Sequence, residues 1–256
     1  MSDLIDGFNW YIDFITAGDH PRLLLDGLQM TVLITVLGLV VTVVVAFVAG
    51  LARLSRYWIV RAPAYVFVEF FRGTSLPVQL FWVYYVLPQL GLRIEAVAAG
   101  VLVIGLNEGS YAAEIVRGTI ASRPKGQTEA SIALGLSPGQ RMRRILIPQS
   151  IPAMLPPFGN VFVDLLKATS LVSLIGVIEL SFNAGVIRNY DGEGPVVYAT
   201  VLVMYFVLAL ILAGMFRLLE RRFAPGQPAI LGPDPLPAGG AASGGIGAGG
   251  IGGGGI

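Results

Sequence analysis

Long stretches without charged residues constrain the fold of this chain more than any other feature. Three of them, Gly27 to Ala52, Gly73 to Leu92 and Gly194 to Phe216, contain no Asp, Glu, Lys or Arg. A helix needs about 20 predominantly apolar residues to cross the hydrocarbon core of a bilayer, and each stretch reaches that length. We therefore predict transmembrane helices at these three positions.

Two further apolar stretches, Ala96 to Val116 and Pro152 to Ile178, are also long enough to cross a membrane, although each carries two ionisable residues. Charged residues make up 13% of the chain, against about 25% in soluble domains. These features predict an all-α membrane protein with about five transmembrane helices. The formal net charge of +1 provides no basic field of the kind that binds nucleic acid, so we expect no nucleic-acid partner.

The basic residues between the predicted helices indicate the orientation of the chain, because cytoplasmic loops carry an excess of Lys and Arg. One alternate set of connections, residues 53–72, 117–144 and 217–222, holds thirteen of the seventeen basic residues. The other set holds only three. We therefore expect a multi-pass protein of the cytoplasmic (inner) membrane, with its N-terminus outside and its C-terminus in the cytoplasm.

The two ends of the chain differ in composition from the predicted membrane domain, residues 24–223. The residues before Phe14 include three Asp and no Lys or Arg, so they lack the basic segment that begins a cleavable signal peptide. We assign residues 1–23 to an extracytoplasmic N-terminal segment. Residues 224–256 are rich in Pro and Gly and cannot offset the entropy of ordering, so we expect a disordered cytoplasmic tail.

The longest predicted cytoplasmic loop, Arg117 to Pro148, carries the signals of two short helices joined by a turn. Pro124 can open the first helix, which should run to about Leu134, and Gly135 can end it. Residues 137–140, Ser-Pro-Gly-Gln, then supply an N-cap, a proline at the first helical position and the glutamine of a capping box.

Within this loop, Glu129-Ala130-Ser131 is followed after three residues by Gly135 and after nine more by Ile145-Leu146-Ile147-Pro148. This arrangement closely resembles the EAA motif of the permease subunits of binding-protein-dependent ABC importers. Ser131 stands where the family usually has Ala, and Ile147 where it usually has Leu.

The resemblance extends over roughly Leu24 to Phe223 and points to the polar amino acid branch of these permeases. The segments that carry it are Glu69 to Leu76, Tyr111 to Gly118, Leu155 to Asn160 and Lys167 to Leu171. Arg188-Asn189, with its flanking pattern, is most similar to ectoine/hydroxyectoine permease subunits.

The resemblance implies the type I ABC importer (MetI-like) permease fold with cytoplasmic coupling helices. It implies a transporter subunit that moves a polar amino acid or an amino-acid-like compatible solute. It also implies contact with membrane lipid and with three kinds of protein partner: ATPase subunits, a second permease that is identical or homologous, and an extracytoplasmic solute-binding protein. A Walker A loop needs a Gly-Lys step, whereas Lys125 follows Pro124 and Lys167 follows Leu166. We therefore expect ATP and Mg²⁺ to be used by partner chains, with no cofactor, metal ligand or catalytic residue in this chain.

The same resemblance makes the loop the element that couples ATP hydrolysis to the membrane helices. The candidate ATPase-coupling residues are Glu129, Ala130, Gly135, Arg141, Arg144 and Pro148. The arginines have an alternative role as positive-inside anchors.

Ionisable residues inside a membrane are costly and normally face a cavity or a partner, so they indicate the solute pathway. The candidates are Asn107, Glu108, Asn160, Asp164 and Lys167. Asp164 and Lys167 lie three residues apart and could instead neutralise each other. The prolines near Asn160 could line the path or only bend a packed helix, and Gly105 with Gly109 has the spacing of close helix packing.

Two other functions compete with this prediction. Residues 135–139 match the G-x-S-x-G pattern of hydrolases, but that motif needs a strand-to-helix elbow and a histidine base. The only histidine, His20, lies on the opposite side of the membrane in the predicted topology. A channel without ATP coupling is the other alternative, and its dependence on partner proteins would distinguish it.

Overall fold

A computed structural model describes residues 14, 16 and 18–223 of the chain. Within that range the protein is helical, with no strand. The α-helices, numbered in chain order, are α1 (His20–Arg53), α2 (Trp58–Gly73), α3 (Leu76–Phe81), α4 (Ala96–Ala121), α5 (Lys125–Ala133), α6 (Pro138–Arg141), α7 (Ile147–Ala168), α8 (Leu180–Asp191) and α9 (Gly194–Phe223). Two π turns, Trp82–Val86 and Met142–Leu146, and two 3₁₀ segments, Leu87–Leu90 and Thr169–Ile175, continue α3, α6 and α7.

Glycines allow α1 and α4 to pack in parallel at very short range. A Cβ on Gly105 would lie 2.6 Å from the side chain of Val41, and one on Gly109 would lie 2.7 Å from that of Val45. Ordinary carbon contacts are about 3.5–4.0 Å, so only glycine fits at these two positions. The structure confirms that the Gly105 and Gly109 spacing serves helix packing.

Helices α7 and α9 complete the bundle around aromatic contacts. Phe158 of α7 stacks on Phe47 of α1, with ring centroids 6.4 Å apart, and Phe162 contacts Phe216 of α9 at 4.8 Å. Leu165 packs beside Gly38 at the α1 contact. Much of α9 stays exposed on its other face, as expected of a helix in contact with lipid or another subunit.

Four helical stretches in the described residues are long and apolar enough to cross a membrane: His20–Arg53, Ala96–Ala121, Pro138–Ile175 and Gly194–Phe223. In the fifth predicted span, Gly73 to Leu92, Gly73 is the last residue of α2, and the only further helical residues are the fifteen from Leu76 to Leu90, divided among α, π and 3₁₀ geometry. Pro88 removes a backbone donor there, and Gly91 ends the segment at φ +90°.

Two helices occur where the sequence suggested only loops. The first, α2, is amphipathic: Ile59, Val66 and Phe70 are exposed on an apolar side, while Arg61 and Glu69 belong to the polar side. Its apolar residues recur at helical spacing, but charged residues interrupt them, so the segment contains no long charge-free stretch. The second, α8, has only twelve residues, too few to cross a membrane.

The predicted segments at the ends fall largely outside the described residues. Residues 1–13, 15, 17 and 224–256 are not described, so the disordered tail remains a prediction. Within the N-terminal segment 1–23, α1 already begins at His20.

Candidate functional site

The Glu129 to Pro148 loop has the predicted helix-turn-helix geometry. Helix α5 ends at Ala133, and Gly135, whose φ of +72° is left-handed, follows its C-cap residue. The N–H of Gly135 donates to Ile132 O at 2.8 Å, and the N–H of Leu136 donates to Ser131 O at 3.1 Å. This pair of bonds is a Schellman motif, in which glycine at the left-handed position avoids a steric cost.

The capping box at the start of α6 is also confirmed. The N–H of Gln140 donates to the Ser137 hydroxyl at 3.3 Å, and the N–H of Ser137 donates to the Gln140 side-chain oxygen at 3.0 Å. Ser137 therefore has a structural role in the loop, which removes the basis for a serine hydrolase.

Helix α5 leaves an unusual set of side chains exposed. Glu129 and Ala130 are exposed, whereas Ser131 is buried and its hydroxyl donates to Thr128 O at 2.7 Å. The apolar side chains of Ile132 and Leu134 are 57% and 77% exposed. Exposed apolar residues beside a carboxylate, outside the membrane-spanning helices, form a surface suited to another protein.

The basic candidate residues of the loop, Arg141 and Arg144, come after the turn at Gly135. Arg144 is exposed and Arg141 is half-buried. Pro148 is exposed and belongs to the first turn of α7, immediately after the π turn Met142–Leu146.

A network of charged residues lies at the end of α4 that leads into this loop. Glu114 pairs with Arg53 of α1 and, through a 2.8 Å contact, with Arg117. Glu69 of α2 lies 3.8 Å from both Arg53 and Arg72. Glu114 and Arg117 lie three positions apart, a spacing at which side chains of one helix pair, but the sequence offers no signal for the contacts of Arg53, because those join residues more than fifteen positions apart.

A partly polar cavity of about 360 Å³ opens beside α4 and α7. It is lined by Thr74, Leu76, Asn107, Glu108, Tyr111, Val161 and Asp164. Glu108 and Asp164 thus face one cavity from two different helices. Three of the five pathway candidates, Asn107, Glu108 and Asp164, are brought together here.

The five candidates have different local roles. Asn107 is buried, and its amide donates to Phe71 O at 2.8 Å and to the Gln79 side-chain oxygen at 3.2 Å, so it mainly holds α2 and α3 against α4. Lys167 pairs with Asp164 at 3.0 Å, which confirms that the two can neutralise each other. Asn160 lies one turn before Asp164 on the exposed face of α7 and does not line the cavity.

The prolines near Asn160 do not break α7. Pro152, Pro156 and Pro157 all lie inside a continuous α-helix. The irregular geometry occurs earlier, in the π turn before Pro148.

One buried carboxylate was not singled out from the sequence. Glu179 is fully buried and caps α8, accepting hydrogen bonds from Phe182 N at 2.8 Å and Ser181 N at 2.9 Å. The Tyr205 hydroxyl of α9 donates to it at 2.8 Å. Burial raises the pKa of Glu179 above its ordinary value, against the opposing effect of these hydrogen bonds.

Comparison with known proteins gives consistent results. Residues 38–225 match the family model described as binding-protein-dependent transport system inner membrane component. The chain is 42% identical over 200 residues to the probable amino-acid ABC transporter permease protein y4tF of Sinorhizobium fredii, covering 76% of this chain and 84% of that protein. It is 40% identical over 202 residues to the glutamine transport system permease protein GlnP of Escherichia coli K12, covering 78% and 92%.

A solved structure shares the fold. The crystal structure of an amino acid ABC transporter with histidines contains a chain that is 34% identical and superposes with a TM-score of 0.75. The match covers 82% of this chain and 98% of that one.

Proposed function

Because the chain belongs to the family of inner membrane components of binding-protein-dependent transport systems and is a permease of the amino-acid ABC type, we propose that it imports a polar amino acid or an amino-acid-like compatible solute. Separate ATPase subunits supply the energy, and the Glu129 to Pro148 loop receives it. The observation that carries this proposal is the shape of the loop: a capped helix with an exposed Glu129 and exposed apolar side chains, ended by a left-handed glycine.

The loop acts as the contact with an ATPase because its exposed residues are those that a protein partner would bury. Ile132 and Leu134 supply apolar area, and Glu129 supplies a charge at the edge of that area. Arg141 and Arg144 extend the contact beyond the turn. The Schellman motif at Gly135 and the capping box at Ser137 keep the two helices of the loop at a fixed angle.

The orientation follows from the basic residues. The connections that contain thirteen of the seventeen Lys and Arg residues lie on the side of the loop and face the cytoplasm. The ends of α1 and α8 near His20 and Asp191, whose side chains lie 2.7 Å apart, then face the external binding protein.

The solute passes beside α7. Asn160, Asp164 and Lys167 are exposed along one face of that helix, and placing such groups against lipid would cost about 2.5–3.5 kcal/mol for each charge. A second permease subunit, identical or homologous, covers this face and turns the open cavity beside Glu108 into an enclosed path. Asn107 supports that wall through Phe71 and Gln79.

The finer identity of the solute rests on the sequence resemblance at Arg188-Asn189, which favours ectoine or hydroxyectoine. The relative GlnP is named for glutamine transport, so glutamine and arginine belong in the same comparison. Direct binding of these solutes to the cognate binding protein, measured by calorimetry, decides among them.

Gly135→Asp tests the role of the loop. Any side chain at φ +72° is strained, so the angle between the two loop helices changes and ATP-driven uptake is lost, while the subunit still inserts. Gly139→Asp is the matched control, because it adds the same charge four residues later in the first turn of α6, where an acidic residue is favourable. Wild-type uptake by Gly135→Asp, or equal loss in both variants, contradicts the assignment.

A further inference from the structure

Two π turns in this protein share one sequence pattern. Each consists of five residues, Trp82–Val86 and Met142–Leu146, and each is followed by one residue and then a proline. The prolines are Pro88 and Pro148. Wide helical turns of this kind are rare and occur frequently at functional sites.

The hydrogen bonds show why the turn is weakly held. Ile147 N donates to Met142 O, a bond that spans five residues rather than four. In an α-helix the next amide, at position 148, would donate to Arg144 O, but Pro148 has no N–H. The backbone between α6 and α7 therefore lacks one bond of the regular ladder at the place where its geometry changes.

Proline alone does not produce this geometry. Pro152, Pro156 and Pro157 lie in the uninterrupted α-helix α7, and Pro63 lies inside α2. The π turns before Pro88 and Pro148 are thus not a general effect of proline, and the second lies in the connection between the loop and the membrane helix.

The other connection of the loop is held by ion pairs. Near the end of α4, Glu114 and its pairs with Arg53 and Arg117 tie this helix to α1, and Glu69 of α2 adds to the same network. The glycine contacts join α4 to α1 along the rest of the interface. A displacement of the loop therefore reaches α1 and α4 through elements joined by ion pairs, and reaches α7 through a π turn held by apolar contacts, in which Leu146 packs in the same buried cluster as Val116 and Ile120.

The polar cavity lies across this boundary. Thr74, Glu108 and Tyr111 belong to the elements held by the charged network, whereas Val161 and Asp164 belong to α7. Any rotation of α7 about its first turn changes the separation of these two walls.

We propose that the π turn Met142–Leu146, set by Pro148, is the hinge about which α7 moves against the rigid unit of α1, α2 and α4 to open and close the solute cavity. Pro148 is a positioning residue: it contacts no solute and acts by withholding a backbone hydrogen bond from Arg144. This inference rests on the proposed function of the loop.

Pro148→Ala and Pro148→Gly test the hinge in the reconstituted transporter. Both restore the N–H, but alanine favours a rigid α-helix whereas glycine leaves the turn flexible. We expect Pro148→Ala to raise the number of ATP molecules hydrolysed per solute imported, because the ATPases still turn over while α7 no longer follows the loop. Pro148→Gly should keep a ratio closer to that of the wild type, although glycine is the poorer helix former. Pro152→Ala, in regular helix, is the matched control and should leave the ratio unchanged.

A distance measurement separates a lost hinge from lost folding. The chain has no cysteine, so spin labels at Leu102→Cys in α4 and Leu174→Cys in the 3₁₀ segment that continues α7, both exposed and far from the π turn, report one distance without background from other positions of this chain. Trapping the complex with ATP and vanadate should change this distance with proline at position 148 and leave it nearly constant in the Pro148→Ala variant. An unchanged coupling ratio in Pro148→Ala, or a glycine variant worse than the alanine variant, overturns the hinge. Absence of ATP-dependent uptake by the wild type overturns the proposed function instead.

Discussion

The contact between α1 and α4 makes a quantitative prediction, because it depends on the missing Cβ atom of Gly109. An alanine Cβ at this position would lie 2.7 Å from two carbons of Val45, about 1 Å inside the ordinary contact distance of 3.5–4.0 Å. Both helices are long and meet at several such points, so the overlap cannot be relieved by turning one flexible side chain. Overpacking of this kind costs about 1–3 kcal/mol.

Gly118→Ala is the matched control in the same helix, since nothing lies within 4 Å of the position that its Cβ would take. Both variants gain about 1 kcal/mol from the higher helix propensity of alanine, and only Gly109→Ala incurs the overlap. We therefore expect Gly109→Ala to be about 1–3 kcal/mol less stable than Gly118→Ala.

The assay is unfolding of the purified protein in mixed micelles of increasing SDS content, followed by tryptophan fluorescence and circular dichroism. Equal free energies of unfolding for the two variants would refute the argument that α1 and α4 touch through their glycines.

Two further predictions concern buried charges. Glu114→Gln removes the charged partner of Arg53 and Arg117 and should lower the free energy of unfolding by about 1–3 kcal/mol. This loss is smaller than that for breaking a fully buried ion pair, because the site is partly exposed. An unchanged free energy of unfolding in the same SDS titration would contradict the network. Glu179 has a raised pKa in the folded protein, so the folded state binds the proton more tightly, and stability is retained at low pH and falls as pH rises through that pKa. Glu179→Gln cannot ionise, so its melting temperature should depend less on pH above the ordinary pKa range of a glutamate carboxyl; parallel profiles of melting temperature against pH for wild type and variant would contradict this.

The turn and the cap of the loop could be predicted from the sequence, because they depend on residues that are close together along the chain. The Schellman end at Gly135 and the capping box at Ser137 involve residues at most five apart, so their hydrogen bonds can be inferred from order along the chain. The close contacts of Gly105 and Gly109 were predicted for the same reason, since their spacing places both on one helix face.

Contacts between distant residues could not be predicted in this way. The bonds of Asn107 to Phe71 and Gln79 depend on how α2 and α3 fold back against α4. Asn107 was therefore predicted to lie on the solute pathway from its polarity alone. The hydrogen bonds that its amide makes to Phe71 and Gln79 could not be foreseen.

The sequence contains a sign that the Gly73 to Leu92 span is not one regular helix, but hydropathy does not register it. Hydropathy counts apolar residues and treats Pro88 as one more residue of the stretch, whereas the helix geometry changes in the π turn that precedes it. The same applies to the π turn before Pro148, which the EAA pattern marked only as part of a motif.

The most direct test of the proposed function is solute uptake by proteoliposomes that contain this permease with its cognate ATPase and, where one exists, its second permease. We expect uptake that requires ATP inside the vesicle and the solute-binding protein outside it, and that Gly135→Asp abolishes. Solute flux through this chain alone, without ATP or the binding protein, would contradict the assignment of the chain as the permease of an ATP-driven importer.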